Sequence, residues 1–193
     1  MANIDSDILQ ALTNKQESPQ EAFLLIYDEI GSEVAKSATE FIISNSFCSD
    51  PPQTLNILIN SPGGSLSDAF AIIDIMSSCL IPIRCIGLGQ IASAALMIFM
   101  SGSKNNRILT PNTSILSHRW SGGTGAQKSH ELFAIQREFD LTNERLLQHY
   151  IKSTGKTEKY VKKWLLPPED VFLSAEDALK HGICDKISYI NKL

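Results

Sequence analysis

The stretch LNILINSPGG, at residues 55–64, decides the fold that the sequence predicts. Residues 55–59 form a short, mostly apolar run of the length expected for a buried strand. The run ends in a turn containing proline and glycine at residues 60–64, and residues 66–79 follow with the spacing of a helix. A strand, a glycine turn and a helix in this order are typical of an α/β domain.

The alternation of strand and helix patterns continues on both sides of this unit. The predicted elements are a strand at 22–27, a helix at 33–44, a strand at 83–88, an apolar helix at 91–100, and short extended segments at 107–110 and 114–117. This order indicates an α/β fold built from βαβ units with right-handed crossovers.

The second half of the chain is predominantly helical. Residues 127–153 carry one long amphipathic pattern that exceeds what a small domain needs to cover its sheet. Two interpretations stay open: the helix projects and packs on another subunit, or it bends and lies on its own domain. Shorter helices are predicted at 157–164 and 175–181, on either side of Pro167-Pro168.

Length and charge exclude several classes of function. The chain has 193 residues, the size of one domain, with a polar N-terminal arm predicted at 1–20 and no linker dividing 21–193. A formal net charge of −4 disfavours a partner held through nucleic-acid phosphates. The first residues show no signal-peptide pattern, and no apolar run is long enough to span a bilayer, so we expect no membrane contact.

Cysteine and histidine usage gives no sign of a metal site. The four cysteines and four histidines are dispersed along the chain and lack the spacing of metal ligands. We therefore expect reduced thiols, which are typical of a cytoplasmic protein, and neither a metal nor an organic cofactor.

Three features of the sequence are candidate parts of a catalytic site. Gly63-Gly64 lies between a strand and a helix, where backbone N–H groups can bind a developing oxyanion. Ser93 lies among small residues in GQIASAA, at 89–95, where a helix dipole favours negative charge on an attacked carbonyl. His118 ends an extended apolar segment. Each feature has an ordinary alternative: a glycine turn, a helix N-cap and a hydrogen-bonded structural histidine.

In combination, these motifs resemble the Clp protease proteolytic subunit (ClpP) family of serine peptidases. The matching segments, in chain order, are INSPGG at 59–64, GQIAS at 89–93, Pro111-Asn112 followed by His118, DVFLSA at 170–175 and GICD at 182–185. Ser93 lies 29 positions after Gly64, and His118 lies 25 positions after Ser93, and both gaps agree with the family. The resemblance extends from about residue 23 to residue 187.

The resemblance implies a ClpP/crotonase-like α/β fold of repeated ββα units. It also implies a serine endopeptidase that hydrolyses unfolded or accessible polypeptides. Residue by residue, Ser93 corresponds to the nucleophile, His118 to the general base and Asp170 to the group that orients the imidazole. The oxyanion hole corresponds to the backbone N–H groups of Gly64 and Ala94.

The resemblance further implies how substrate and partners bind. In the family, substrate lies as an extended strand between two protein segments, matched here by Gly63, Ser65, Leu66, Trp120, Ser121 and Gly122. The long helix resembles the family's handle, at residues 124–155, which implies a homo-oligomeric heptameric ring and a stack of two rings. An AAA+ unfoldase is the partner that the family implies, although residues 1–20 do not resemble its axial-loop segment.

The sequence departs from the family pattern at three places. Two alanines follow Ser93 where Met-Gly is usual, which leaves a backbone oxyanion donor in place. Arg119-Trp120 replaces Gln-Pro after the histidine and puts a bulky, charged edge beside the substrate strand. Asp170 lies 52 positions after His118, a few more than in the family, with two prolines inserted just before it.

Three other functions fit parts of the pattern. A crotonase-like acyl-CoA enzyme shares the fold and the paired amide donors but uses acidic residues as acid and base, and Asp68 is the nearest carboxylate to either motif. A Ser–Lys dyad protease would use Lys104, which closely follows Ser93 in a polar turn. A catalytically silent ring subunit would keep the fold without an aligned triad.

Overall fold

A computed structural model describes residues 21–120 and 129–190 of the chain. Its elements, in chain order, are β1 (Glu21–Ile26), α1 (Ser32–Ser46), β2 (Thr54–Ser61), α2 (Leu66–Ser78), β3 (Ile83–Ala92), α3 (Ala94–Met100), β4 (Arg107–Leu109), β5 (Ser114–Ser117), α4 (Ser129–Thr154), α5 (Glu158–Trp164), β6 (Val171–Leu173), α6 (Ala175–His181) and β7 (Lys186–Ile187). The predicted N-terminal arm at 1–20 lies outside the described residues.

The strands form one mainly parallel sheet. β1, β2, β3, β4 and β7 lie side by side in that order and run parallel. β3 has two successive partners, because its residues 85–87 pair with β4 and its residues 90–92 pair with β5. β6 runs antiparallel to β5. Since parallel strands end at the same edge of a sheet, the residues that follow β3 and β5 meet there.

An apolar core lies between the sheet and its helices. The short helix α3 is buried along its whole length, since each of its 7 residues is at most 2% exposed. In a protein outside a membrane, a helix that is apolar on every face is buried in the core. This burial fixes the position of the helix that begins just after Ser93.

The third strand and third helix differ from the prediction. β3 continues to Ala92, so the predicted strand end at 88 and the predicted helix start at 91 are wrong. Ile91 and Ala92 instead pair with Ile115 and Leu116 of β5, and a local apolar pattern does not encode pairing between distant segments. The sequence pattern also misses β6 and β7, whose 3 and 2 residues are too short to show a period.

The long helix α4 has two differently packed parts. Its C-terminal part contributes Leu146, Leu147 and Tyr150 to the core, whereas its first described turns leave Leu132 and Phe133 exposed. The handle at 124–155 stays a prediction, and its residues 124–128 lie outside the described part of the chain.

Two side chains attach the end of α4 to the rest of the domain. Arg107 donates from Nε and Nη2 to the Asp185 carboxylate, at 3.0 and 2.5 Å, and from Nη1 to the carbonyl oxygen of Ser153 at 2.7 Å. His149 donates from Nε2 to the carbonyl oxygen of Met97 in α3, at 2.9 Å. Burial lowers the pKa of His149 to about 4, so the imidazole is neutral at pH 7.

Removing the Asp185 carboxylate leaves the buried Arg107 guanidinium without its ion-pair partner. We expect Asp185→Ala to lower the free energy of unfolding at pH 7 by roughly 2–3 kcal/mol, less than for a fully buried pair because Asp185 keeps some contact with water. The control is Glu158→Ala, which breaks the exposed pair with Lys162 and has a much smaller effect. Urea denaturation measures both changes.

The contribution of Asp185 also depends on pH. Burial raises the pKa of Asp185, but hydrogen bonds and charge from Arg107 lower it by more, so the pKa lies below its ordinary value. The stabilisation is therefore present above the pKa of the unfolded chain and is lost as the pH falls through the lower pKa of the folded state. The stabilities of wild type and Asp185→Ala converge in acid, and equal stabilities at pH 7 contradict this account.

Candidate active site

The glycine turn after β2 is held against the loop that follows β1. Ser61 is 1% exposed; its Oγ donates to the carbonyl oxygen of Asp28 at 2.6 Å and accepts from the N–H of Gly63 at 3.2 Å. The N–H of Ile30 donates to the carbonyl oxygen of Gly63, and the N–H of Ser65 donates to that of Ile30. These bonds fix the turn beside the end of β3.

Only glycine fits at the two central positions of this turn. Gly63 and Gly64 have φ angles of 97° and 144°, a region that other residues rarely adopt. A Cβ added to Gly63 would lie 2.6 Å from the carbonyl oxygen of Ala92 and 2.7 Å from the Cβ of Ser93. A Cβ on Gly64 would collide with the backbone of Ile30. The missing side chains therefore allow the turn to lie directly against Ser93.

Ser93 has a strained backbone and a side chain that makes no capping hydrogen bond to the helix. Its φ of 54° and ψ of −122° are unusual for a residue other than glycine, a conformation that costs on the order of 1–3 kcal/mol. Its N–H donates to the carbonyl oxygen of Leu116 in β5, at 2.9 Å. Although Ser93 occupies the N-cap position of α3, its side chain makes no capping hydrogen bond. Ser93 is therefore not an ordinary N-cap.

The three residues that the sequence predicts as a triad lie together. Ser93 Oγ is 2.7 Å from His118 Nε2, and His118 Nδ1 is 3.5 Å from Asp170 Oδ1. The antiparallel register of β5 and β6 pairs Ser117 with Val171, and one further step along that register sets His118 opposite Asp170. The Asp170 side chain is 58% exposed, so one side of the group is in water.

Two backbone N–H groups lie next to Ser93. Gly64 lines the same cavity as Ser93, and Ala94 follows Ser93 as the first residue of α3. Within the described part of the chain, neither N–H donates to a side chain or to a loop carbonyl. Such donors can stabilise negative charge that develops on an oxygen beside the serine.

A small cavity of about 110 Å³ opens beside Ser93 and His118. Its other lining residues are Gly64, Leu66, Met97, Trp120, Leu146 and Tyr150. Leu66 and Trp120 are residues that the sequence assigns to substrate, whereas Met97, Leu146 and Tyr150 are not assigned, because apolar positions on a helix look the same whether they line a cavity or a core. Leu146 and Tyr150 also lie far from the motifs in sequence, whereas Met97 is only four positions after Ser93.

The structure places some of the predicted substrate residues in other contacts and does not describe others. Ser65 is the N-cap of α2, where its Oγ accepts from the N–H of Asp68 at 3.3 Å. Trp120 packs edge-to-face on Phe139 of α4, with ring centroids 4.5 Å apart. Ser121 and Gly122 lie outside the described residues.

Lys104, the candidate base of a Ser–Lys dyad, lines a separate cavity of about 530 Å³. Arg107, His149, Lys152 and Asp185 line this second cavity with it. In residues 21–120 and 129–190, no group of three or more His, Cys, Asp or Glu side chains is arranged to hold a metal ion. No helix in these ranges is long and apolar enough to cross a membrane.

Comparison with known proteins identifies the family. The family model described as Clp protease matches residues 8–191. An ATP-dependent Clp protease proteolytic subunit from Streptococcus pyogenes serotype M5 (strain Manfredo) is 34% identical over 145 residues, which are 75% of this chain and 73% of that protein. The protein of the same name from Streptococcus suis (strain 98HAH33) is 34% identical over 139 residues, 72% of this chain and 70% of that protein.

A solved structure agrees with these matches. A mutant of ClpP1 from Listeria monocytogenes superimposes with a TM-score of 0.77 and 26% sequence identity, covering 94% of this chain and 98% of that one. This similarity confirms the predicted ClpP-type α/β fold. Since the family model spans nearly the whole chain and the family consists of serine peptidases, the chain belongs to the Clp protease family and is a serine peptidase.

Proposed function

We propose that the chain is a serine endopeptidase in which Ser93 is the nucleophile, His118 the general base and Asp170 the group that orients the imidazole. The observation that carries the proposal is the 2.7 Å distance between Ser93 Oγ and His118 Nε2. A serine hydroxyl attacks a carbonyl efficiently only when a neighbouring base takes its proton. Asp170 near Nδ1 favours the tautomer in which Nε2 is free to accept that proton.

The reaction proceeds in two halves. Ser93 Oγ forms a bond to the carbonyl carbon of the scissile peptide while its proton passes to His118 Nε2. The imidazolium gives this proton to the leaving amine as the C–N bond breaks, which leaves an acyl ester on Ser93. Water then attacks the ester, loses a proton to His118, and releases the carboxylic acid as the proton returns to Ser93 Oγ.

The amide groups of Gly64 and Ala94 stabilise the oxyanion of each tetrahedral intermediate. They are fixed before substrate arrives, because the turn of Gly64 is bonded to Ile30 and Ala94 begins the buried helix α3. Donors that need no reorganisation during the reaction are more effective than mobile ones.

Substrate lies as an extended strand between the Gly63–Leu66 segment and the segment that begins at Trp120. Hydrogen bonds to the main chain of a substrate do not depend on its side chains, which suits unfolded or accessible polypeptides of many sequences. Ser121 and Gly122 complete the second segment in this proposal. The peptidase domain spans residues 21–193, with residues 1–20 as an arm.

The exposed apolar surface supports assembly into a homo-oligomeric ring. Phe23 and Leu25 alternate along β1, Tyr27 follows directly after it, and the three are 56%, 63% and 51% exposed. Leu132 and Phe133 on α4 are exposed as well. Apolar groups concentrated in this way are typical of protein interfaces. We assign these surfaces to contacts within a cytoplasmic heptameric ring and, through the handle at 124–155, between two rings.

The relatives are named ATP-dependent proteolytic subunits. An AAA+ unfoldase is therefore the partner we assign to the assembled ring. ATP is used by that partner, and the peptidase reaction itself uses water together with the side chains and amides of this chain.

A fluorophosphonate probe tests the nucleophile. We expect it to label wild type at Ser93, and we expect Ser93→Ala and His118→Ala to abolish labelling and to lower kcat for a fluorogenic peptide by more than about 10⁴-fold. Mass spectrometry of the labelled peptide identifies the serine. Ser101→Ala is the matched control. Ser101 lies at the opposite end of the same helix α3, and its Oγ donates to the carbonyl oxygen of Met97 rather than to His118.

Three outcomes contradict the proposal. Labelling that persists in Ser93→Ala places the nucleophile elsewhere. A folded, assembled wild type that is not labelled indicates a silent ring subunit. Turnover of an enoyl-CoA without cleavage of peptides indicates a crotonase-like enzyme.

The cavity beside Ser93 predicts a preference at the residue before the scissile bond. Its volume of about 110 Å³ is smaller than the roughly 150 Å³ of an apolar cavity that holds benzene, so we expect aliphatic residues to be preferred over aromatic ones. Leu146→Ala enlarges the cavity and should raise the aromatic-to-aliphatic ratio of kcat/KM about tenfold. Leu147→Ala, one residue further along α4, is the control, and an equal change in both variants contradicts the assignment.

Particle mass tests assembly. Multi-angle light scattering should give the mass of a ring, and Leu25→Asp on the exposed face of β1 should shift it to smaller species because a charge cannot be buried there without a partner. Lys36→Asp, at an exposed position of α1, is the control. A monomeric wild type at working concentration contradicts the ring.

A further inference from the structure

The two neighbours of His118 in the chain both bond to one short segment. Ser117 Oγ donates to the carbonyl oxygen of Leu165 at 2.5 Å, and Arg119 Nε donates to the carbonyl oxygen of Leu166 at 2.9 Å. Both carbonyls lie just after α5, where a helix leaves its last carbonyl groups without partners in the helix. Side chains from the histidine segment therefore complete the C-terminus of α5.

A second hydroxyl, that of Tyr150, is bonded to Ser117. Ser117 has one hydroxyl proton, which it gives to Leu165, so Tyr150 must donate to Ser117 Oγ across their 2.8 Å contact. Burial raises the pKa of Tyr150 to about 12, so the phenol keeps its proton at pH 7. Ser117 is fully buried, and its hydrogen-bonding capacity is used within this chain of groups.

The segment bound in this way leads directly to Asp170. Only Pro167, Pro168 and Glu169 separate Leu166 from Asp170, and proline fixes its own φ angle. Beyond Asp170, Val171 pairs with Ser117 in the sheet. The aspartate is therefore carried on a short, stiff connection that is attached at both ends to the residues flanking His118. We name this set of contacts, from Ser117 to Leu165 and from Arg119 to Leu166, the carbonyl clamp.

We propose that Ser117 and Arg119 are positioning residues, whose clamp on Leu165 and Leu166 sets the distance between His118 and Asp170. This inference rests on the proposed triad. Arg119, which the sequence analysis places beside substrate, here positions Asp170 instead. The two prolines that lengthen the interval before Asp170 stiffen the connection that carries it. The side chain of Asp170 is largely exposed, so its position depends on its backbone connections.

A double-mutant cycle separates positioning from substrate binding. We expect Arg119→Ala to lower kcat for a fluorogenic peptide about tenfold with KM changed less than about twofold, because a small displacement of a catalytic group reduces the rate but not the binding. In an Asp170→Asn background the same substitution should change kcat less than about twofold, since the orienting carboxylate is already lost. Arg119→Lys, which keeps a donor, should recover part of the loss.

A control variant and two contradicting outcomes separate positioning by Arg119 from other effects of the substitution. Lys163→Ala removes an exposed cation from α5 without touching either carbonyl and should leave kcat unchanged. A rise in KM at constant kcat in Arg119→Ala means that Arg119 contacts substrate, and it overturns the inference. An undiminished effect in the Asp170→Asn background also overturns it, because the residue then acts through another group.

Hydrogen exchange tests the clamp without relying on activity. In Ser93→Ala protein, the β6 amides should exchange about tenfold faster after Ser117→Ala or Arg119→Ala if the clamp holds this segment. Unchanged exchange overturns the inference even in a protein that cleaves nothing. By contrast, a wild type that the fluorophosphonate probe does not label overturns the proposed triad and not the clamp. Failure of the triad and failure of the clamp are therefore distinguishable.

Discussion

The hydrogen bond from the Ser93 N–H to the carbonyl oxygen of Leu116 keeps β3 paired with β5 up to the residue before α3. It therefore brings the end of β3 beside the end of β5, where His118 follows. The site exists because one strand changes partner, from β4 to β5, along its own length.

The strain at Ser93 is maintained by the two elements packed against it, the helix α3 and the glycine turn. The buried helix α3 holds the residues that follow it, and the glycine turn lies so close that a single Cβ at Gly63 would touch both Ala92 and Ser93. Proteins retain backbone strain of this kind only where the surroundings fix the conformation, and such places are often functional sites. The same rigidity presents the N–H groups of Gly64 and Ala94 in fixed positions.

The motifs could be predicted from sequence, but their connections could not. Ser93, His118 and Asp170 stand in recognisable segments, and the structure brings them together. The sequence does not reveal that β3 runs on to Ala92, because that depends on pairing with β5. It also gives no sign of the Ser117 and Arg119 bonds, which join residues more than 40 positions apart and leave no periodic pattern. Apolar residues such as Tyr150 look like core until the cavity is seen.

The arrangement of groups around Ser93 is the central claim, and a phosphonate adduct tests it most directly. A crystal structure of that adduct mimics the tetrahedral intermediate, with one phosphonyl oxygen in place of the oxyanion. The account predicts phosphorus bonded to Ser93 Oγ and that oxygen about 2.7–3.1 Å from the N–H nitrogens of Gly64 and Ala94. An adduct whose phosphonyl oxygen points into solvent, away from both amides, contradicts it.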